Sequence, residues 1–181
     1  MHRYLYLIPL LCTVLYALPT DKQVEEISKQ YLGDSYVWGG TNPKTGMDCS
    51  GYTKYVFNKA GIVLPRTAWS QSKKGSTVTR NELKKGDLLF FLTDKTRGIP
   101  VTHVGIYLGN DKFIHAASKK KGIIISSLSQ SSYDKKFVLA KRVIKNNIAH
   151  MSDFYVALDE EAMKSSMQVK ITSFGGKYEI F

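Results

Sequence analysis

Apolar residues recur with a helical period near the start of the chain and with strand-like periods farther along. The helical pattern predicts a first helix from about Asp21, with Thr20 or Asp21 as its N-cap and Gly33 as its terminator. The later segments are short apolar or alternating runs between turn residues, at positions 88–91, 102–108, 113–116, 123–126 and 137–143. Helices followed by strands is the order of an α+β fold, so we expect N-terminal helices packed on a small antiparallel sheet.

A second helical pattern stops at Gly61 and has its start at Cys49 and its neighbours. At a helix N-terminus, unpaired N–H groups and the helix dipole stabilise a thiolate, which predicts a thiol pKa below the free value of about 8.5. The alternative is a buried free cysteine that packs as a small hydrophobe. Polar Asp48 and Ser50, with Gly51 keeping the backbone open, favour a nucleophile.

Residues 1–20 combine a basic head, an apolar middle and a polar exit, which is the order of a secretory signal peptide. The apolar middle is shorter than the roughly 20 residues that span a bilayer. We expect cleavage between Ala17 and Thr20 and export to the periplasm, the cell envelope or the medium. An uncleaved anchor and lipid attachment at Cys12 are the alternatives. Cleavage removes Cys12 and leaves Cys49 as a single cysteine, which cannot form an intrachain disulfide.

The chain carries a formal net charge of +11 at pH 7, and loss of residues 1–20 removes one arginine and no acid, leaving +10. This charge favours a polyanionic partner, and an exported protein meets an anionic envelope surface before it meets nucleic acid. The lysines at 119–121 are also compatible with a solvated loop. No internal repeat divides the chain, so we expect one main domain over residues 21–145 and an extension of unknown role over residues 146–181.

Two of the four histidines lie in the strand-like region and are candidates for a base that activates the thiol. Alternation along residues 102–108 predicts His103 on the less apolar face, with Val104 and Ile106 on the core face. His103 and His115 point to the same side of a hairpin if an odd number of residues forms the loop, and His115 could then orient the ring of His103. A structural sheet histidine and a zinc site are the alternatives. The lack of a fourth ligand and of short ligand spacing argues against zinc.

Six motifs follow one another along residues 31–142: Tyr36-Val37-Trp38-Gly39-Gly40, Asp48-Cys49-Ser50-Gly51, Leu64-Pro65-Arg66-Thr67, Lys85-Gly86-Asp87-Leu88-Leu89-Phe90-Phe91, His103-Val104-Gly105-Ile106-Tyr107 and Phe113-Ile114-His115-Ala116. By these motifs the chain resembles the NlpC-type papain-like cysteine peptidases. The resemblance implies a papain-like fold in which the cysteine helix packs on the sheet that carries both histidines. Cys49 is then the nucleophile and His103 the base. His115 orients the base, and Tyr36 lies beside the thiol near the oxyanion.

The same resemblance implies a substrate cleft around the cysteine. Asp48 and Ser50 line this cleft, where the carboxylate could meet an amino group of the substrate, and N-capping of the helix is their alternative role. Trp38 and the two glycines after it shape the cleft wall. Arg66 and Asp87 are expected to make structural contacts.

The activity implied is that of an exported cysteine endopeptidase that hydrolyses an amide bond in peptidoglycan stem peptides, next to D-γ-glutamate, through a thioester acyl-enzyme. Peptidoglycan peptides are the expected partner, with no nucleic acid, no metal and no cofactor. An amidase or acyltransferase on the same fold and a non-catalytic wall-binding protein are the alternatives. Two features depart from the family pattern: no wall-binding repeat precedes the catalytic segment, and residues 146–181 have no counterpart in the core domain.

Overall fold

The computed structural model describes residues 19–144, so the expected extension and all but the last two residues of the expected signal peptide lie outside the described residues. The helices are α1 (Asp21–Lys29), α2 (Cys49–Lys59), α3 (Ala68–Gln71) and α4 (Ser131–Asp134). The strands are β1 (Thr41–Asn42), β2 (Gly46–Met47), β3 (Ser76–Val78), β4 (Leu88–Phe91), β5 (His103–Gly109), β6 (Lys112–Ser118), β7 (Gly122–Ser127) and β8 (Phe137–Arg142). Short 3₁₀ turns lie at Arg80–Glu82 and Lys95–Arg97.

Six of these strands form one antiparallel sheet in the order β3-β8-β4-β5-β6-β7. Strands β4 to β7 follow one another as a meander, and β8 returns to the other side of β4, where it also pairs with β3. The five predicted strands are β4 to β8, and the α+β prediction is confirmed. The sequence pattern does not predict β3 or the small β1–β2 hairpin, because runs of two or three residues are too short to show a period.

Helix α1 begins where the sequence predicts, because Thr20 accepts the N–H of Gln23 at 3.1 Å through Oγ1. It ends one turn before Gly33, whose φ of +91° closes the turn that follows. The hydroxyl of Tyr52 on α2 donates to the carbonyl of Ser28 at 3.0 Å. This hydrogen bond joins α1 to α2.

Helix α2 packs on β5 and β6. The N–H of Val104, the second residue of β5, acts on the thiol of Cys49, so the start of the helix lies next to the start of β5. The buried residues at the contact include Val56 and Phe57 on the helix and Val104, Ile106 and Ile114 on the sheet. Val104 and Ile106 thus face the core as predicted.

The opposite face of the sheet is also apolar, and its buried cluster contains Leu89, Phe91, Phe113 and Ala140. Tyr133 of α4 packs against this cluster. His103 lies on this face, opposite Val104 and Ile106 as predicted, and the apolar cluster here is smaller than the one under α2. Aromatic residues from β4, β6 and α4 cover that face, and their positions depend on strand order, which the sequence pattern does not specify.

Candidate active site

Cys49 is the first residue of α2, and Asp48 caps the helix by accepting the N–H of Gly51 at 2.7 Å through Oδ1. The thiol is free and buried, with 8% of the residue exposed. Gly51 is required here, because a Cβ at this position would lie 2.1 Å from the carbonyl oxygen of Gly40. The segment that follows Trp38 thus lies directly against the helix start and fixes one wall beside the thiol.

Burial, reinforced by the negative charge of Asp48, raises the pKa of the Cys49 thiol to about 11. The N–H groups of Val104, Ser50 and Cys49 itself act in the opposite direction but are outweighed. The predicted lowering of the thiol pKa is therefore wrong for the free protein. The helix start does supply N–H groups, but desolvation of a thiolate and the charge of the capping residue dominate. At neutral pH the thiol is protonated, so it could act as a nucleophile only with a base that takes its proton.

His103 is the first residue of β5, at the end of the sheet next to the start of α2, and His115 lies on β6. Five residues separate the paired Tyr107 and Phe113, and this odd number puts both histidines on one face, as predicted. Nε2 of His103 lies 2.7 Å from Nδ1 of His115. Nε2 of His115 lies in turn 3.0 Å from the hydroxyl of Ser126 on β7. The three side chains form a continuous hydrogen-bonded series.

One choice of tautomers makes His103 a base. If Nε2–H of His103 donates to Nδ1 of His115, Nδ1 of His103 is unprotonated and can take the thiol proton, while His115 donates to Ser126. Burial lowers the pKa of His103 to about 4 and, with the neighbouring ring, the pKa of His115 to about 2, so both rings are neutral at pH 7. The rings of Phe113 and Tyr133, with centroids 4.6 and 5.2 Å from that of His115, maintain this burial.

Both carboxylate oxygens of Asp48 accept hydrogen bonds from other groups of the protein. Arg66 forms a two-pronged ion pair with it at 2.6 and 3.0 Å, and the N–H of Gly39 donates to Oδ2 at 3.0 Å. The hydroxyl of Ser50 lies 3.2 Å from Oδ1 of Asp48 and 3.0 Å from Nη1 of Arg66. Burial opposes ionisation of Asp48, but the hydrogen bonds from Arg66, Gly51 and Gly39 outweigh it and lower the pKa. Asp48 therefore has the capping role that was the alternative to substrate binding, and Arg66 makes the expected structural contact.

Tyr36 is partly buried and packs against the core around α2. Burial, together with the charges of Cys49 and Asp48, raises the pKa of its phenol to about 12. The positive charges of Arg66 and Arg97 oppose this rise. The phenol is therefore protonated at neutral pH and can donate a hydrogen bond. Its predicted role near the oxyanion stays a prediction.

A cleft of about 350 Å³ opens at the start of α2. Four of the predicted site residues line it: Trp38, Asp48, Cys49 and Ser50. Tyr36, His103 and His115 lie behind the lining, while Thr102, immediately before the expected base, reaches the surface of the cleft. The predicted site residues thus divide into four that line the cleft and three that do not.

Two further residues line the cleft, Trp69 and Arg97, and no specific sequence pattern predicts them there. Trp69 on α3 lies under Lys73, whose Nζ is 4.5 Å from the ring centroid. Arg97, in the loop between β4 and β5, has its guanidinium carbon 5.2 Å from the ring centroid of Trp38. The only signal is an aromatic or basic residue in a loop near a motif, which is common on protein surfaces.

Other polar groups have structural contacts. Asp87 is buried and accepts two hydrogen bonds of 2.8 Å from Arg142, which is the structural contact expected of it. Among residues 19–144, no cluster of three or more acidic, histidine or cysteine side chains could hold a metal ion. Within the same residues, no helix has both the length and the apolar character needed to cross a membrane.

The family model for the NlpC/P60 family matches residues 33–142. A γ-D-glutamyl-L-lysine dipeptidyl-peptidase of Bacillus cereus is 34% identical over 126 residues, which cover 70% of this chain and 37% of that protein. The murein DD-endopeptidase MepH of Escherichia coli is 42% identical over 118 residues, covering 64% of this chain and 43% of that protein. The chain therefore spans about two fifths of the length of these curated relatives.

The crystal structure of an NlpC/P60 family protein from Bacillus cereus superposes with a TM-score of 0.66 at 34% identity, covering 71% of this chain and 41% of that chain. The predicted papain-like NlpC-type fold is thereby confirmed. Residues 33–142, which the family model matches, contain the cysteine helix and the strands that carry both histidines.

Proposed function

The chain belongs to the NlpC/P60 family, and on this premise we propose that it is a cysteine endopeptidase that hydrolyses an amide bond in peptidoglycan stem peptides. One observation carries the proposal. It is the hydrogen-bonded series from His103 through His115 to Ser126, which ends next to the start of the Cys49 helix. This series supplies an oriented, neutral base for a thiol that is protonated and lines an open cleft.

The first half of the reaction acylates the thiol. As Sγ of Cys49 bonds to the substrate carbonyl carbon, its proton passes to Nδ1 of His103, and His115 stabilises the resulting imidazolium. The N–H groups at the start of α2 and the hydroxyl of Tyr36 donate to the oxygen that becomes negative. The imidazolium then protonates the leaving nitrogen, the C–N bond breaks and a thioester remains.

The second half releases the acyl group. Water takes the place of the departed amine, and His103, neutral again, removes a proton as the water oxygen bonds to the thioester carbon. Collapse of this second tetrahedral intermediate breaks the C–S bond. The proton on His103 returns to the sulfur, so the free acid leaves and the neutral Cys49–His103 pair is restored.

We place the cleaved bond next to D-γ-glutamate, on the carboxyl side of that residue. The name of the Bacillus cereus relative, which specifies a γ-D-glutamyl-L-lysine bond, supports this choice. The name of the Escherichia coli relative specifies a DD-endopeptidase, so the two relatives differ in the bond they are named for. The site chemistry serves either bond, and only fragment analysis distinguishes them.

Export to the envelope is part of the proposal, because its substrate lies outside the membrane. The signal-like order of residues 1–20 and the net charge of +10 beyond them support it. The test is the mass of the protein recovered from the envelope or medium of a producing cell. A mature chain that begins between residues 18 and 21 is expected, and an intact chain held in the cytoplasm contradicts export.

The activity is tested by digestion of purified peptidoglycan, followed by mass spectrometry of the released fragments. The wild-type protein should produce new termini at the γ-D-glutamyl bond, and a Cys49→Ala variant should produce none. Fragment profiles that are identical for both proteins would contradict the proposed enzyme. New termini at a sugar–peptide bond would instead identify an amidase.

A further inference from the structure

The loop between β4 and β5 holds Arg97 at the rim of the cleft in a defined position. The carboxylate of Asp94 caps the 3₁₀ turn by accepting the N–H of Thr96 at 3.0 Å and its hydroxyl at 2.6 Å. The hydroxyl of Thr102 accepts the N–H groups of Thr93 at 2.9 Å and of Asp94 at 3.0 Å. The loop is therefore tied to the residue immediately before the base His103.

Arg97 contributes a positive charge that no ion pair within residues 19–144 neutralises, and the nearest acidic group on its own loop, Asp94, is engaged in capping the 3₁₀ turn. Its guanidinium lies against the indole of Trp38, and in residues 19–144 it forms no ion pair with a carboxylate. Arg66, the other cationic residue of the cleft lining, is paired with Asp48. Because thiol and imidazole are neutral at pH 7, the cleft retains one net positive charge, contributed by Arg97.

This charge lies near Tyr36, the residue expected beside the thiol. It is among the charges that act on the phenol of Tyr36, together with those of Cys49 and Asp48. The guanidinium lies over the ring of Trp38 on an exposed side chain, and a guanidinium binds a carboxylate through two parallel hydrogen bonds. The cleft therefore matches a substrate that carries a carboxylate within a few atoms of the bond to be cleaved.

We propose that Arg97 is a specificity-determining residue that binds the free α-carboxylate of a γ-linked glutamyl residue. In a γ-linked peptide the side-chain carboxyl forms the scissile amide, so the α-carboxylate stays free beside it. An ordinary α-linked peptide has no such group there. This inference rests on the proposed function and adds to it a preference for free over amidated glutamate.

The test compares two peptides that differ only in this group, L-Ala-γ-D-Glu-L-Lys and its α-amide, L-Ala-γ-D-isoglutaminyl-L-Lys. The wild-type protein should cleave the free acid with a kcat/KM about three- to tenfold higher, as expected for a charge-assisted pair with an exposed side chain. Arg97→Gln should lower kcat/KM for the acid by a similar factor and leave the amide unchanged. Arg97→Lys keeps the positive charge but cannot form two parallel hydrogen bonds to a carboxylate, so it should retain part of the preference for the free acid.

The matched control is Lys95→Gln, which removes a positive charge from the same loop at a residue that does not line the cleft. It should leave the preference intact, whereas an equal effect of Lys95→Gln and Arg97→Gln would mean that only the overall charge matters. An Arg97→Gln protein that keeps the wild-type preference, or that loses activity on both peptides equally, would overturn the inference.

A binding measurement separates this inference from the proposed function. In the Cys49→Ala background, L-Ala-γ-D-Glu and its α-amide are titrated while the fluorescence of Trp38 and Trp69 is followed. Tighter binding of the acid that is lost in the Arg97→Gln double variant supports the inference, even if neither peptide is cleaved by the wild type. Equal binding of both ligands overturns it, even if the peptides are cleaved.

Discussion

Alkylation of Cys49 with iodoacetamide should accelerate continuously as the pH rises from 6 to beyond 9. The thiolate is the reactive form, and burial with the Asp48 charge gives this thiol a pKa of about 11, against an ordinary value of 9.0. A pKa raised by two lowers the thiolate fraction at neutral pH by ~100-fold relative to an exposed cysteine. At pH values below this raised pKa, the alkylation rate should therefore increase about tenfold for each increase of one pH unit.

The assay is the second-order rate of carbamidomethylation, measured by intact-protein mass spectrometry, with glutathione as the reference thiol. The shape of the pH profile is the informative quantity, because burial of the thiol slows every alkylation equally across pH. A plateau reached below pH 8 would show a preformed thiolate–imidazolium pair. That result would refute the conclusion that burial outweighs the helix N-terminus at Cys49.

Three further predictions concern the base, its partner and the helix start. His103 must be neutral to take the proton, and its pKa is lowered to about 4, so kcat/KM should stay constant from pH 7 down to about pH 5 and fall toward pH 4. A fall in kcat/KM centred near pH 6.5 would contradict a buried, neutral base. His115→Ala should lower kcat by about 100-fold or more with little change in KM, and His115→Asn should restore part of it, because an amide oxygen can accept from His103; no rescue would argue for a purely structural His115. Gly51→Ala should lower the free energy of unfolding by about 1–3 kcal/mol in a urea titration, because the added Cβ would lie 2.1 Å from the Gly40 carbonyl oxygen. The control Gly61→Asn, at an open position with φ +84°, should change the free energy of unfolding little. Equal stabilities of the two variants would contradict the close approach of Gly40 to Gly51.

The features that depend on short-range patterns could be predicted from the sequence. Thr20 marks the start of α1 and Gly61 the end of α2, and the apolar runs predict five strands. The odd number of residues in the loop between β5 and β6 puts His103 and His115 on one face. These features need only the periods of helices and strands and the chemistry of caps. The position of Cys49 at a helix start belongs to the same class.

The remaining features depend on packing between distant segments. The thiol pKa is set by burial against β5, and the aromatic cover of the histidines depends on β4 and α4, which are far away in the chain. Arg97 and Trp69 reach the cleft from a loop and a one-turn helix, which are too short to show a periodic apolar pattern in the sequence. Ser126 extends the histidine series only because β7 lies next to β6.

The central claim is that Cys49 forms a covalent acyl-enzyme, and turnover in the presence of hydroxylamine tests it most directly. A thioester is attacked by hydroxylamine as well as by water, so part of the γ-glutamyl product should appear as the hydroxamate. Its share should rise with the hydroxylamine concentration, and Cys49→Ala should form neither product. Cleavage that yields only the free acid at every hydroxylamine concentration, or hydroxamate formed by the Cys49→Ala variant, would contradict the account.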